Sequence, residues 1–297
     1  MSFLAKLSSA ATLKSIMDII SFLIDETPIK IDSTGIHMAA IDSSHVAMLF
    51  ANFPKEMFVE FKAPPEELNI GLTVGDIHKI LKRAKANDEI EIGPDGDKKT
   101  GLVIRMLSEK SKRTFKLKSK DIAGGDGVDI STYSKSLDDK FTATFTIESA
   151  SMDEIVKDAT IMSDLITFSM SKDKELKIAA SDGSGNGEVE IIMDAGKDGW
   201  NAAVKDDSAG IYSINFLENF SKLSSISDTF TISIGKNVPA RIVCNTGDAE
   251  NPGAEITYFL APRVEDQNED DFDTEAELEG EESTPAGGEE EAGEGDE

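Results

Sequence analysis

The chain of 297 residues is long enough to bury two ordinary domain cores, and its single cysteine, Cys244, excludes an internal disulfide. Its formal net charge of −27 weighs against a nucleic-acid partner, because phosphate is held by lysine and arginine. That excess is local: residues 265–297 hold 17 Asp or Glu and no Lys or Arg, which leaves 40 acids against 30 bases in the first 264 residues.

No N-terminal run combines a charged start, an apolar stretch and a small-residue cleavage site, so the expectation is a reduced intracellular compartment. The first element is a helix, with Leu13, Ile16, Met17, Ile20, Leu23 and Ile24 at helical spacing on one face. The apolar run Ile16 to Ile24 is broken by Asp18 and Ser21, which argues for a soluble protein with no membrane partner. A second helix is expected around Thr73–Ala84. Residues 118–139 contain Gly124-Gly125-Asp126-Gly127 and almost no periodicity, and read as an interdomain linker with Ile122, Val128, Ile130, Tyr133 and Leu137 as scattered anchors.

Beyond the linker, Phe141, Ala143, Phe145 and Ile147 alternate with Thr142, Thr144, Thr146 and Glu148, the period of a strand with one buried face. Met152, Ile155, Val156 and Ala159 then take helical spacing, and Ser151 with Glu154 three residues on suggests a capping box. Another helix is expected around Ser213–Leu223, followed by the alternating Phe230, Ile232 and Ile234. The order of the second half repeats that of the first at an offset of 140: Ile36–Asp42 matches Leu176–Asp182, and Leu72, Ile77, Ile80, Lys82, Asp88, Ile90 and Ile92 match Tyr212, Leu217, Phe220, Lys222, Asp228, Phe230 and Ile232. Two stretches sharing one offset point to duplication. The fold expected is α+β, two similar domains (1–117 and 140–264), each with helices on a predominantly antiparallel sheet. Residues 265–297, poor in apolar side chains, read as a disordered acidic tail.

Asp42-Ser43-Ser44-His45-Val46 and the closing Phe259-Leu260-Ala261-Pro262-Arg263-Val264-Glu265-Asp266 resemble the most characteristic stretches of the PCNA-type DNA sliding clamps. Ile80-Leu81-Lys82-Arg83-Ala84-Lys85, Arg113-Thr114-Phe115-Lys116-Leu117 and Asn237-Val238-Pro239 support the resemblance, which runs collinearly over about residues 3–266 and is closest in character to archaeal members. It implies a clamp fold in which three subunits form a pseudo-sixfold ring around duplex DNA, conferring processivity on a tethered DNA polymerase. It also implies short peptide motifs on polymerase, clamp loader, flap endonuclease and DNA ligase as ligands. A cytoplasmic, chromosome-associated location follows for an archaeal source and a nuclear one for a eukaryotic source. Subunits of such clamps join through edge strands, by position about Lys110–Leu117 and Glu175–Ser181, placing Arg113, Phe115, Leu117, Leu176 and Ile178 at the junction. Closure with identical or with related chains stays open.

Lys79, Lys82 and Arg83 share the polar face of the second helix, and Lys14, Lys157 and Lys222 lie on the polar faces of the others. On charge alone they form a solvated surface, since Asp18, Glu154, Asp158 and Glu218 share those faces. The resemblance turns them toward DNA phosphates, a contact independent of base sequence. Ile41, His45, Val46, Met48, Pro239, Phe259, Leu260, Ala261 and Pro262 are ordinary core and turn residues by themselves. By resemblance they line a pocket for a short partner helix.

Three scattered histidines without a cysteine partner, His37, His45 and His78, suggest neither catalysis nor a metal. Asp182–Gly187 begins like a calcium loop but ends on Met193 where the last ligand should be. There is no phosphate loop and no nucleophile elbow. No enzymatic activity, cofactor or metal is expected. The competing reading is an acidic, chaperone-like protein whose tail binds basic partners.

Overall fold

A computed structural model of the chain describes residues 3–85, 88–96, 101–120, 122, 130–181, 187–194, 201–248 and 250–263. The glycine run of the linker, Val128, most of the Asp182–Gly187 loop and the acidic tail lie outside the described residues. The first half runs β1 (Leu4–Leu7), α1 (Ala11–Leu23), β2 (Glu26–Ile31), β3 (Gly35–Ile41), β4 (Ala47–Pro54), β5 (Glu60–Lys62), β6 (Leu68–Thr73), α2 (Val74–Leu81), β7 (Glu89–Pro94), β8 (Gly101–Ser108) and β9 (Ser111–Lys118). After α3 (Ile130–Asp138) the same order returns as β10 (Ala143–Glu148), α4 (Ser149–Met162), β11 (Leu165–Met170), β12 (Glu175–Ser181), β13 (Glu188–Asp194), β14 (Asn201–Val204), β15 (Ser208–Ser213), α5 (Ile214–Ser221), β16 (Thr229–Ile234), β17 (Ala240–Asn245) and β18 (Glu255–Leu260). The duplication read from the offset of 140 is therefore a duplication of elements.

The strands do not group by half. A nine-stranded antiparallel sheet takes β14, β10, β16, β17 and β18 from the second half and continues through β4, β3, β2 and β6 of the first. Its seam is the pairing of β18 with β4, in which Tyr258 stands opposite Leu49 and Leu260 opposite Ala47. Two smaller sheets remain: five strands in the order β5, β1, β7, β8, β9, and four in the order β13, β12, β11, β15. By repeat position these are the two parts of the nine-stranded sheet over again, but unjoined.

Four helices cover one side. Helix α1 buries Leu13, Ile16, Met17, Ile19, Ile20 and Leu23, and Ile24 already has the extended backbone that ends it. Helix α4 begins at Ser149, two residues before the expected cap. Ser151 is thus inside the helix, and the capping box does not form. Ser149, fully buried, instead donates its hydroxyl to the Ser227 carbonyl and its backbone N–H to the Asp228 carbonyl at 2.9 Å. The main core lies between these helices and the inner sheet faces, with Phe220 stacked on Tyr258 at a centroid distance of 4.8 Å and tilted against Phe230 at 5.1 Å.

The linker departs from expectation by containing α3, whose Tyr133 and Leu137 pack in a second apolar cluster on the other side of the sheet with Phe50, Phe141, Val238 and Phe259. Phe141, expected on the face of Phe145, precedes β10 and belongs to this outer cluster. The chain leaves β9 across the edge strand β6, where Lys120 donates to the Gly71 carbonyl at 2.8 Å. A Cβ at Gly71 would stand 2.5 Å from the Lys120 carbonyl oxygen, so only glycine permits this approach.

Candidate functional site

Three surfaces gather the residues singled out in the sequence. The first is the helix row. Helix α1 packs on both α2 and α5, and α5 packs on α4. Phe22 of α1 meets Phe216 of α5 edge-on at 5.6 Å, so the two halves share one continuous helical surface. Lys79, Lys82, Arg83, Lys157 and Lys222 are exposed on it and Lys14 is half-buried. Lys157 is held by Asp153 at 2.6 Å, and that ion pair and hydrogen bond raise its pKa. Asp18 bridges α1 and α2 by accepting from His78.

The second surface is the outer face of the nine-stranded sheet beside α3. Strand alternation divides the expected pocket residues. Phe259 and Met48 stand opposite one another and belong to the outer cluster, with the Tyr133 ring edge-on to Phe259 at 5.0 Å. Ile41, opposite Met48 on β3, is half-buried, as are Pro239, Ala261 and Pro262. Leu260 is fully buried and points the other way, into the main core, and Val46 packs against that same core. Neither lines an outer pocket, which corrects the expectation: adjacent strand residues cannot both face outward. Ile122 sits against Gly71 on β6, far along the sheet from β18. The linker residues beside the pocket are Tyr133 and Leu137. Arg241 latches their helix by donating to Asp138 at 2.5 Å and Ser134 at 3.0 Å, with its guanidinium 4.6 Å above the Phe141 ring.

A buried carboxylate shapes the rim of this surface. Asp42 accepts from the backbone N–H groups of Ala47 at 2.5 Å and Ser44 at 2.9 Å, and from the Ser44 hydroxyl. Burial pushes its carboxyl up, but these donors outweigh burial and hold it below the ordinary carboxylate range. The turn they enforce puts His45 at φ 58°, in the left-handed region, with its side chain exposed at the rim.

The third surface is a pair of open sheet edges. Strand β9 is an edge of the five-stranded sheet, as expected, with Phe115 and Leu117 packed inward and Lys112, Thr114 and Lys116 exposed. Arg113 turns to the buried Asp88. Strand β12 is not an edge: β11 and β13 pair with it on either side, and Leu176 and Ile178 are core residues. The edge of that sheet next to β12 is β13, where Val189, Ile191 and Met193 pack inward while Glu188, Glu190 and Ile192 are exposed; β15 lies at the other edge. The signal that could have found β13 was present: its segment stands at the offset of 140 from β4, the strand that makes the internal seam.

No described group of His, Cys, Asp or Glu could hold a metal ion, and no helix among the described residues is long and apolar enough to cross a membrane. Comparison with known proteins adds the following. Residues 2–125 match the family model for the N-terminal domain of proliferating cell nuclear antigen, and residues 136–263 match that for its C-terminal domain. The chain is 32% identical over 254 residues to DNA polymerase sliding clamp 1 of Pyrobaculum aerophilum, covering 84% of this chain and 94% of that one. It is 31% identical over 248 residues to the DNA polymerase sliding clamp of Thermococcus fumicolans (83% and 92% covered). With that of Methanothermobacter thermautotrophicus it is 27% identical over 265 residues (89% and 98% covered).

Proposed function

Because the chain belongs to the PCNA family of DNA polymerase sliding clamps, we propose that its open edges close head to tail into a ring of three subunits around duplex DNA. The ring tethers DNA polymerase and other replication and repair enzymes as a non-enzymatic platform on the chromosome, and partner peptides dock on the outer face around Ile41, Met48, Phe259 and Pro262. Polymerase, clamp loader, flap endonuclease and DNA ligase are the partners expected.

The observation that carries this reading is the internal seam. Phe115 occupies on β9 the place of Tyr258 on β18: through β8 and β17 the two lead to Ile92 and Ile232, which are 140 apart. Val189 occupies on β13 the place of Leu49 on β4, since they face Ala180 and Ala40. Tyr258 stands opposite Leu49. Carried over to two subunits, that register sets Phe115 against Val189, Thr114 against Glu190, Lys112 against Ile192 and Lys116 against Glu188.

Every pairing then matches inward side chain to inward and outward to outward, as a shared sheet requires. The charges agree as well: β9 carries Lys112, Arg113, Lys116 and Lys118 without an acid, and β13 carries Glu188, Glu190 and Asp194 without a base. Two β9 strands would set like charges against each other, so a two-fold dimer is disfavoured and the head-to-tail contact favoured. The competing reading, a chaperone-like acidic protein, rests on the tail composition alone and leaves the duplicated fold and the seam without a role.

The test is twofold. Native mass spectrometry should give three times the 32.0 kDa chain. A loaded ring should stay on closed circular DNA and run off linear DNA. A monomer, or equal retention on both DNAs, overturns the reading.

A further inference from the structure

The two halves share one set of helices but not one set of charges, and the difference locates the DNA contact more narrowly than the helix row as a whole. At the offset of 140, Lys14 corresponds to Glu154, Lys79 to Asn219, Lys82 to Lys222, Arg83 to Leu223 and Lys85 to Ser225. One of these positions keeps its cation and one reverses its charge, while Leu223 is wholly buried. The cation peculiar to the second half, Lys157, is bound to Asp153 and flanked by exposed Glu154 and Asp158. In the first half, Lys79 and Lys82 reach carboxylates only at 3.9 and 4.0 Å. Arg83 and Lys85 are exposed and meet none within ion-pair distance among the described residues.

The first-half turn is also braced. Arg113 donates to the Arg83 carbonyl at 3.0 Å and forms an ion pair with the buried Asp88, which accepts from the Lys85 N–H at 3.1 Å. A guanidinium and a buried carboxylate therefore fix the backbone that presents Arg83 and Lys85. The counterpart of Asp88 is Asp228, which is exposed, and the counterpart of Arg113 on β18 is the buried Ile256. Cations at the end of α2 also complement the helix dipole. That effect fades within the last turn, and it explains neither Lys14 on α1 nor Lys85 beyond the helix end.

We infer that the phosphates of the duplex are contacted by Lys14, Lys79, Lys82, Arg83 and Lys85 of the first half, and that the second half contributes little, so that contacts recur at every other domain of the ring. The inference rests on the clamp reading. A sparse, alternating set of cations holds the duplex in the hole while leaving it free to slide, because each contact is to backbone and carries no sequence.

Two double variants of equal charge change separate the halves: Lys82→Ala with Arg83→Ala, and Lys157→Ala with Lys222→Ala. Binding of the full chain to a short blunt duplex, onto which a closed ring can thread, is measured by fluorescence anisotropy over a salt series, after native mass confirms an unchanged assembly. The first pair should weaken binding about tenfold or more at low salt and flatten the dependence of log affinity on log salt, and the second should cost less than about twofold. Equal losses, or a larger loss in the second pair, overturn the inference while leaving the clamp reading standing. No loss in either pair, with wild type binding, removes the helix row as the DNA face. A wild-type chain of correct mass that does not associate with duplex at all overturns the clamp reading itself.

Discussion

The seam between β4 and β18 and the open edges β9 and β13 occupy the same places in the repeat, but the seam is paired within the chain whereas β9 and β13 are edges of separate sheets. At the seam Tyr258 and Leu49 are completely buried, while at the edges the corresponding Phe115 and Val189 are only partly buried. The seam is apolar where the edges are charged. A junction that never opens can rely on packing, whereas one that must find its partner in solution gains register and orientation from complementary charge. The comparison accounts for both the stability of one subunit and the assembly of several.

The largest expected effect breaks the closed copy. Leu260→Ala should destabilise the chain by about 2–5 kcal/mol in urea unfolding, because it empties a fully buried site in the main core. Partner-peptide affinity of the folded fraction should be retained, which sets Leu260 apart from its neighbour Phe259. Next comes the open copy: Lys112→Glu with Lys116→Glu should leave the unfolding midpoint nearly unchanged but drive the assembly toward monomers by sedimentation. Glu188→Lys in the same chain should restore part of it. A variant that unfolds, or that assembles normally, would dissolve the contrast between seam and edge.

A smaller effect is expected on the outer face. Ile41→Asp should cost a peptide with aliphatic and aromatic anchors about 1–3 kcal/mol by calorimetry, with the assembly intact. Equal affinity would remove Ile41 from the docking surface. The smallest effect concerns Asp42. Its carboxyl is held below the ordinary value of 3.8, so it stabilises the fold above that pH and the contribution is lost as pH falls below it. The stability gap between wild type and Asp42→Asn should therefore shrink with acidification. A gap independent of pH would mean that the turn does not depend on the charge.

Much of this was legible in the sequence because the repeat is a repeat of apolar spacing, and spacing fixes where a helix or strand can bury a face. The second helices, around Ile77 and Leu217, fall where the pattern put them. Strand order is another matter. Whether β12 or β13 lies at the edge depends on which strands are hydrogen-bonded, and Leu176 and Ile178 have the same alternation in either place. Helix α3 was hidden because Tyr133 and Leu137 bury a stripe against the sheet too narrow to show as periodicity. The opposite facing of Phe259 and Leu260 is itself legible in the sequence, because a period of two sends neighbouring strand residues to opposite faces. The reversal from Lys14 to Glu154 was visible in the repeat, but acquired meaning only once α1 and α4 were seen on one surface.

The most direct test of the ring is a covalent record of the transferred register. Thr114→Cys and Glu190→Cys in one chain place two exposed thiols opposite each other across a subunit junction. Burial pushes the native Cys244 thiol up to about 12, which keeps it from competing. Mild oxidation should give a covalent species of three chains in which every junction is closed, and a control with Thr114→Cys and Glu188→Cys, slipped by two residues, should give far less. Failure of the first pair to cross-link, or stronger cross-linking of the slipped pair, would contradict the claim that the open edges repeat the internal seam.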